Sequence, residues 1–266
     1  MNFDATDTIY IALALYTLGT LTVLISLIGK SMRLQHAALV IMIAGFGVHT
    51  MWIGTICART GHPPITNLPE TAAFLSWTIF AVELALWIRY RVYAAAFFVY
   101  PLVLLLLVVT AVVGEPFAGL PPELRSTLFT AHILLTILGV AGLMIGLAFT
   151  VLANAQDKAL RSKQRGPLWE WIPSLNVCKV LSYRALAIGF SVYTIGLITG
   201  VMWSYRTNAG PMDLRVKQIG AVVAWMFFAA LLQTYISGGY RGRRTILISA
   251  GAFVAIIVSI MGIARV

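Results

Sequence analysis

Four polar side chains interrupt long apolar runs in this sequence: His49, Glu83, His132 and Gln233. An ionisable group at mid-bilayer costs at least a few kcal/mol unless it is paired or faces a bundle interior, so each marks a place for chemistry or a specific contact. Neutral imidazole is a good iron ligand, which singles out the histidines. Helical rise puts His49 about 12 Å and His132 about 9 Å in from the same end of their runs. If the two helices are neighbours, the rings can hold one metal centre from opposite sides, the arrangement of a bis-histidine haem. The alternative is two hydrogen-bonded packing residues. Glu83 has Leu86 and Trp87 at i+3 and i+4, so its own helix offers no base. It reads as a proton relay or as the partner of Arg184 or Lys179. Gln233 reads as an interhelical hydrogen-bonding residue, and His36 as an interfacial imidazole with no special role.

Positioning these groups requires long helices. The chain has 266 residues, 60% hydrophobic and only 11% charged, and runs such as "FFVYPLVLLLLVVTAVV" lack the short alternation of a transmembrane barrel. The expected fold is all-α: a polytopic membrane bundle in one domain over residues 1–266, with eight spans near 8–29, 36–57, 70–88, 93–113, 126–153, 181–203, 217–237 and 244–263. The first run follows the acidic "MNFDATDT" and not a basic leader, and reads as a retained span. Most of the 19 Lys and Arg, including Lys158, Arg161, Lys163, Arg165, Arg241, Arg243 and Arg244, fall in loops on one face. The positive-inside rule makes that face cytoplasmic, with both termini and the segments 59–70 and 204–217 on the outer side of a plasma (inner) membrane. The net charge of +10 is then a topology signal, and nucleic acid is excluded as a partner; the lipid bilayer is the partner implied. The basic loop "AQDKALRSKQRGPLWEWIPSLNVCK" is an orientation signal anchored by Trp169 and Trp171, or a surface for anionic lipid. Cys57 and Cys178 fall at opposite ends of the spans and cannot pair within one chain. GxxxxGK[ST], HExxH, CxxC and GxSxG are all absent, so no catalytic residue is assigned.

The densest polar stretch is "RTGHPPITNLPETAAFLSW", residues 59–77. Its prolines hold the chain extended and delay the next helix until about Pro69. Asn67 or Thr66 suits the cap, and Glu70 suits the positive end of the helix dipole. His62 is left over, at the mouth above the His49 and His132 levels, where it contacts a ligand's carboxylates or hydrogen-bonds the loop.

This stretch resembles the Gly-His-x-Pro-x-(Ser/Thr)-Asn-x-x-Glu segment of the cytochrome c assembly family, the CcsA-type haem-handling membrane proteins, through Gly61, His62, Pro64, Thr66, Asn67, Glu70, Thr71 and Phe74 to Trp77. "LSYRALAIGFSVYTIGLITGVMW" resembles a second family segment through Ser182, Tyr183, Arg184, Gly189, Phe190, Thr194, Gly196, Gly200 and Trp203, and "GGYRGRR" a third. The resemblance implies non-covalent, b-type haem, with His49 standing for a membrane histidine, His132 for an outer one, and Trp203 for the start of the haem platform. It also implies partners: haem and another membrane protein of a cytochrome assembly or respiratory complex.

Departures from the pattern limit what carries over. The tryptophan-rich segment of complete haem lyases is replaced by "WSYRTNAGPMDLRVK", which keeps Trp203 and Asp213 alone. Gln233 stands where a second membrane histidine is expected, and the tail "MGIARV" offers no fourth. The chain therefore resembles the shorter HemX-like branch. Two functions are expected from it: a haem-binding protein of the assembly type that is not a complete lyase, or a haem-free accessory subunit on the same scaffold. A transporter ranks below both, because no Gly/Pro-broken spans occupy equivalent positions of two halves.

Overall fold

The computed structural model describes residues 5–114, 126–163, 171–206, 216–237 and 242–261. Among them are eight helices and no strands: α1 (Ala5–Gly29), α2 (Met32–Thr60), α3 (Leu68–Tyr90), α4 (Ala96–Val113), α5 (Thr127–Ser162), α6 (Leu175–Arg206), α7 (Val216–Ile236) and α8 (Gly242–Met261). Seven are long and apolar enough to cross a membrane, and α8 contributes the shorter apolar stretch Arg244–Ser259. Large apolar side chains face outward along them, as at Ile28, Val40 and Val112. Such faces suit lipid and not water, and the chain is a multi-pass membrane protein built as a helical bundle.

The expected spans fall on these helices, with two instructive differences. The basic loop after span five is helical through Ser162, where Asp157 accepts from Arg161 at 2.9 Å one turn later. Lys163, at φ 53°, then turns the chain out of the helix. On the other strand of this hairpin α6 begins at Leu175, six residues before the expected start at 181. Trp169, Asp213, Arg165 and Arg241 lie outside the described residues.

The chain divides into two compact units, α1–α4 (residues 1–120, with 166–171) and α5–α8 (residues 121–165 and 172–266). In the first unit, rings fill the interior. Tyr16 of α1 packs on Phe80 of α3 (5.9 Å), and Phe80 on Tyr100 of α4 (5.8 Å). Gly45 makes room for the Tyr16 ring, since a Cβ there would meet it at 2.6 Å. Ser76 donates to the Val103 carbonyl and Thr110 to the Pro69 carbonyl, both at 2.9 Å, fixing α3 against α4.

The second unit is organised on the α5–α6 seam. Facing pairs run Phe129–Trp203, His132–Gly200, Thr136–Gly196, Gly139–Tyr193, Gly146–Leu186 and Thr150–Ser182. Steps of three and four residues along each helix are those of an antiparallel coiled coil. The backbones approach so closely that a Cβ on Gly189 would lie 2.7 Å from the Leu143 nitrogen. Small residues at Gly142–x–x–x–Gly146 and Gly196–x–x–x–Gly200 permit this contact. Tyr193 then donates to the Ala221 carbonyl (3.1 Å) and Trp225 to Thr194 (3.0 Å), joining α7.

Candidate functional site

Local chemistry shapes the start of α3. The Asn67 side chain accepts from the Glu70 backbone N–H (2.9 Å), and Glu70 reaches back to accept from the Thr66 N–H (2.9 Å) and hydroxyl (2.6 Å). This is a capping box shifted by one residue, with Pro69 in the first turn. Gly61, at φ 76°, closes α2 by donating to the Cys57 carbonyl at 2.9 Å. His62 follows directly. Its Nδ1 donates to the Pro63 carbonyl at 2.8 Å and its own carbonyl accepts from the Thr60 hydroxyl at 3.0 Å, so the ring is engaged with its loop.

His49 lies on the buried stripe of α2 and has no exposed surface. Tyr16 meets its ring edge-on at 5.8 Å, and Trp52 lies one turn away at 5.7 Å. Neither ring nitrogen has a hydrogen-bond partner among the described residues. An unsatisfied buried polar group costs about 1–3 kcal/mol, so the packing alone does not account for an imidazole here.

His132, near the start of α5, is built differently. Its Nδ1 lies 2.7 Å from the Gly196 carbonyl. A carbonyl only accepts, so Nδ1 carries the proton and Nε2 the lone pair of the neutral ring. A backbone carbonyl holding one ring nitrogen while the other faces a metal is the usual arrangement of ligating histidines. Gly200 provides the cradle, because a Cβ there would sit 2.6 Å from the ring. Phe129, one turn before His132, packs on Trp203 at 5.0 Å, so two of the expected residues, His132 and Trp203, lie one turn apart along the α5–α6 seam. His49 and His62 belong to the other unit. The sequence names Gly196 and Gly200 only as residues of a family motif, although their Gly-x-x-x-Gly spacing one turn before Trp203 signals the close helix approach that seats His132; Phe129 carries no such signal.

Glu83 is 3% exposed, and its Oε2 has no hydrogen-bond partner among the described residues. Its own unit gives it no basic partner among those residues, whereas Arg184 and Lys179 belong to the second unit. Gln233 corrects its expectation: it stands on the exposed face of α7, and its side chain bonds no other described helix, because the buried positions of this turn are Leu231 and, half-buried, Tyr235. Cys57 and Cys178 are both free thiols. His36 accepts from the Tyr93 hydroxyl at 2.9 Å and donates to the Met32 carbonyl at 2.8 Å.

Comparison with known proteins places this arrangement. The family model described as Cytochrome C assembly protein matches residues 65–265. Similar proteins include the cytochrome c biogenesis protein CcsA of Prochlorococcus marinus strain MIT 9301, 30% identical over 227 residues that cover 77% of this chain and 74% of the relative. Another is CcsA of Prochlorococcus marinus subsp. pastoris, 30% identical over 77% of this chain and 72% of its own length. CcsA of Synechococcus sp. strain CC9605 is 28% identical, over 77% and 76%. From residue 65 onward the match spans the capped start of α3, the glycine seam that holds His132, and the helices packed on it, and the chain belongs to the cytochrome c assembly protein family.

Proposed function

We propose that this protein binds non-covalent, b-type haem, for which His49 of the first unit and His132 of the second would each offer a nitrogen ligand, as a haem-handling member of its family and not a complete haem lyase. The observation that carries the reading is His132, whose Nδ1–H is held by the Gly196 carbonyl, which puts the lone pair of the neutral ring on Nε2, one turn along the seam from the Phe129–Trp203 contact. His49 supports it, because both of its buried nitrogens are without a described partner. Bound there, haem supplies a redox-active iron. The chain's own residues fix the tautomer of His132, seat its ring over Gly200, and exclude water around His49 with Tyr16 and Trp52. Trp203 supplies one aromatic face, and His62 stands at the outer mouth. A sequence "SYRTNAGPMDLR" in place of a tryptophan-rich segment supports the HemX-like assignment, with no thiol-attachment chemistry and no catalytic residue. In this reading the basic loops are cytoplasmic, residues 59–70 and 204–217 face outward from the inner membrane, and a second membrane protein of a cytochrome assembly or respiratory complex docks there.

The test is the absorption spectrum of protein purified from haem-replete cells. A Soret band is expected, reduced several-fold in His49→Ala and in His132→Ala and little changed in His62→Ala. A colourless wild-type preparation overturns the reading. The second reading, a haem-free accessory subunit, is favoured by the complete enclosure of His49 in its own unit. Stoichiometric co-purification of a partner whose activity survives both histidine substitutions would select it.

A further inference from the structure

We propose that the α1–α4 unit contains a site for a small monovalent cation, sodium or a proton, held by the Glu83 carboxylate, the Thr20 hydroxyl and the Phe97 carbonyl. This goes beyond the haem reading and does not rest on it.

The three groups share one layer of the unit. Helices α1 and α3 run in the same sense, and Tyr16 packs on Phe80 at 5.9 Å. One turn further along α1 comes Thr20, and one turn further along α3 comes Glu83, so the two lie beneath this pair of rings. Phe80 also packs on Tyr100, and the Ser76–Val103 and Thr110–Pro69 bonds set α3 antiparallel to α4, so Glu83 lies level with the first turn of α4. Pro101 follows inside α4 and has no N–H to donate to the Phe97 carbonyl four residues earlier. Beside Thr20, Gly19 abuts Met42, which closes the α2 side of the layer.

Two of the groups are buried, each with an oxygen unpartnered among the described residues. Thr20 and Glu83 are each 3% exposed. The hydroxyls of Thr17, Thr22, Thr50 and Thr78 donate to the carbonyl four residues back in their own helices. That of Thr20 does not, and it has no partner among the described residues; the same holds for Oε2 of Glu83. In a low-dielectric interior, a carboxylate, a hydroxyl and a carbonyl that a proline has stripped of its donor form an oxygen set for a hard cation.

Charge selects the valence. A single carboxylate balances one positive charge, whereas a divalent ion would leave a net charge buried in the bilayer. No group of three His, Cys, Asp or Glu capable of holding a metal is found among the described residues, so neutral oxygens must complete the shell. The other titratable groups on α1–α4 are Asp7, Tyr10, Tyr16, Arg33, His36, His49, Cys57, Arg59, Glu70, Arg89, Tyr90 and Tyr100; the bases Arg33, Arg59 and Arg89 stand in the end turns of α2 and α3, and none of them forms a salt bridge with Glu83 among the described residues. Gln35 is 2% exposed with its amide unpartnered, and lies on the Met42 stripe about 10 Å nearer Lys30, where it gives an entering ion a polar contact.

The experiment is equilibrium binding of radioactive sodium to the purified full chain, with the infrared carboxyl region recorded on the same samples. If the occupant is sodium, binding is saturable and displaced by unlabelled sodium, lost in Glu83→Gln, and weakened about tenfold in Thr20→Val. If it is a proton carried on Glu83, sodium does not bind, but a deuterium-sensitive carboxyl band is present, vanishes in Glu83→Gln and shifts in Thr20→Val. Should Glu83→Gln fail to fold, Thr20→Val alone decides, because the substitution is nearly isosteric. Sodium binding or a carboxyl band unaltered by Thr20→Val overturns the proposal, as does the absence of both signals in the wild type.

Discussion

The two units close their interiors by opposite means. Around the α5–α6 seam the backbones touch through glycine, and the hydroxyls are paired. Thr150, Ser182 and Tyr235 bond one another at 2.6–3.1 Å, with both Thr150 and Ser182 also donating to the Gly146 carbonyl in the alternative rotors of one network. In α1–α4 the interior is filled by rings, and polar atoms of Tyr16, Thr20, Gln35, His49 and Glu83 are left without described partners. The second unit has exceptions of its own beyond the far end of the seam, where both amide atoms of Asn154 and Oε1 of Gln156 have no hydrogen-bond partner among the described residues. The contrast separates two kinds of interior: the α5–α6 seam holds the His132 ring on a backbone carbonyl, and α1–α4 leaves polar atoms without partners among the described residues.

The largest effect that tests this contrast is expected at Gly139. A Cβ there would meet the Cα and nitrogen of Tyr193 at 2.6 Å, and backbone cannot move aside. Gly139→Val should destabilise the protein by about 3 kcal/mol or more, read as collapse of the thermal transition in detergent. A normal melt would show that the seam is not held by backbone contact.

Next is Gly200→Ala, whose methyl would press on the His132 ring at 2.6 Å. It should displace the ring from the Gly196 carbonyl and diminish or shift the Soret band while costing about 1–3 kcal/mol of stability. An unchanged spectrum in a haem-loaded protein would detach His132 from the cofactor.

Removing a polar group from each interior should give opposite signs. Thr150→Val breaks a paired network and should cost roughly 0.6–1.7 kcal/mol, the range of interhelical hydrogen bonds in membranes. Gln35→Leu removes an amide that has no described partner, and should be neutral or stabilising by up to about 1 kcal/mol. Equal losses from the two changes, measured by thermal melts, would erase the distinction.

The smallest effect is expected at Gly54, which has nothing within 4 Å of an added Cβ. Gly54→Ala should raise stability by about 0.5–1 kcal/mol through helix propensity alone. A loss comparable to that at Gly139 would mean that α2 is packed on its outward face as well.

Much of the fold was legible because its causes are local. Runs near 20 apolar residues have one low-energy state in a bilayer, which is why the helices fall where expected. The cap at Asn67 and Glu70 was legible for the same reason, since its donors and acceptors lie within four residues. The extension of α5 to Ser162 was missed because charged residues weaken a hydropathy signal while leaving helix propensity intact. At the candidate site, residue types were legible and roles were not. His49 and His132 look alike in sequence, yet one is an enclosed ring without described partners and the other a ring oriented by a carbonyl 64 residues away.

The sequence by itself determined that this chain crosses a membrane as a helical bundle and carries the family's motifs, because hydropathy, caps and motif spacing act over one or two turns. The tertiary structure decided which polar groups found partners. The tautomer of His132 depends on a glycine crossing between two helices, and the burial of Glu83 and Thr20 on rings from three others. Those contacts join residues distant along the chain, and no local pattern encodes their register.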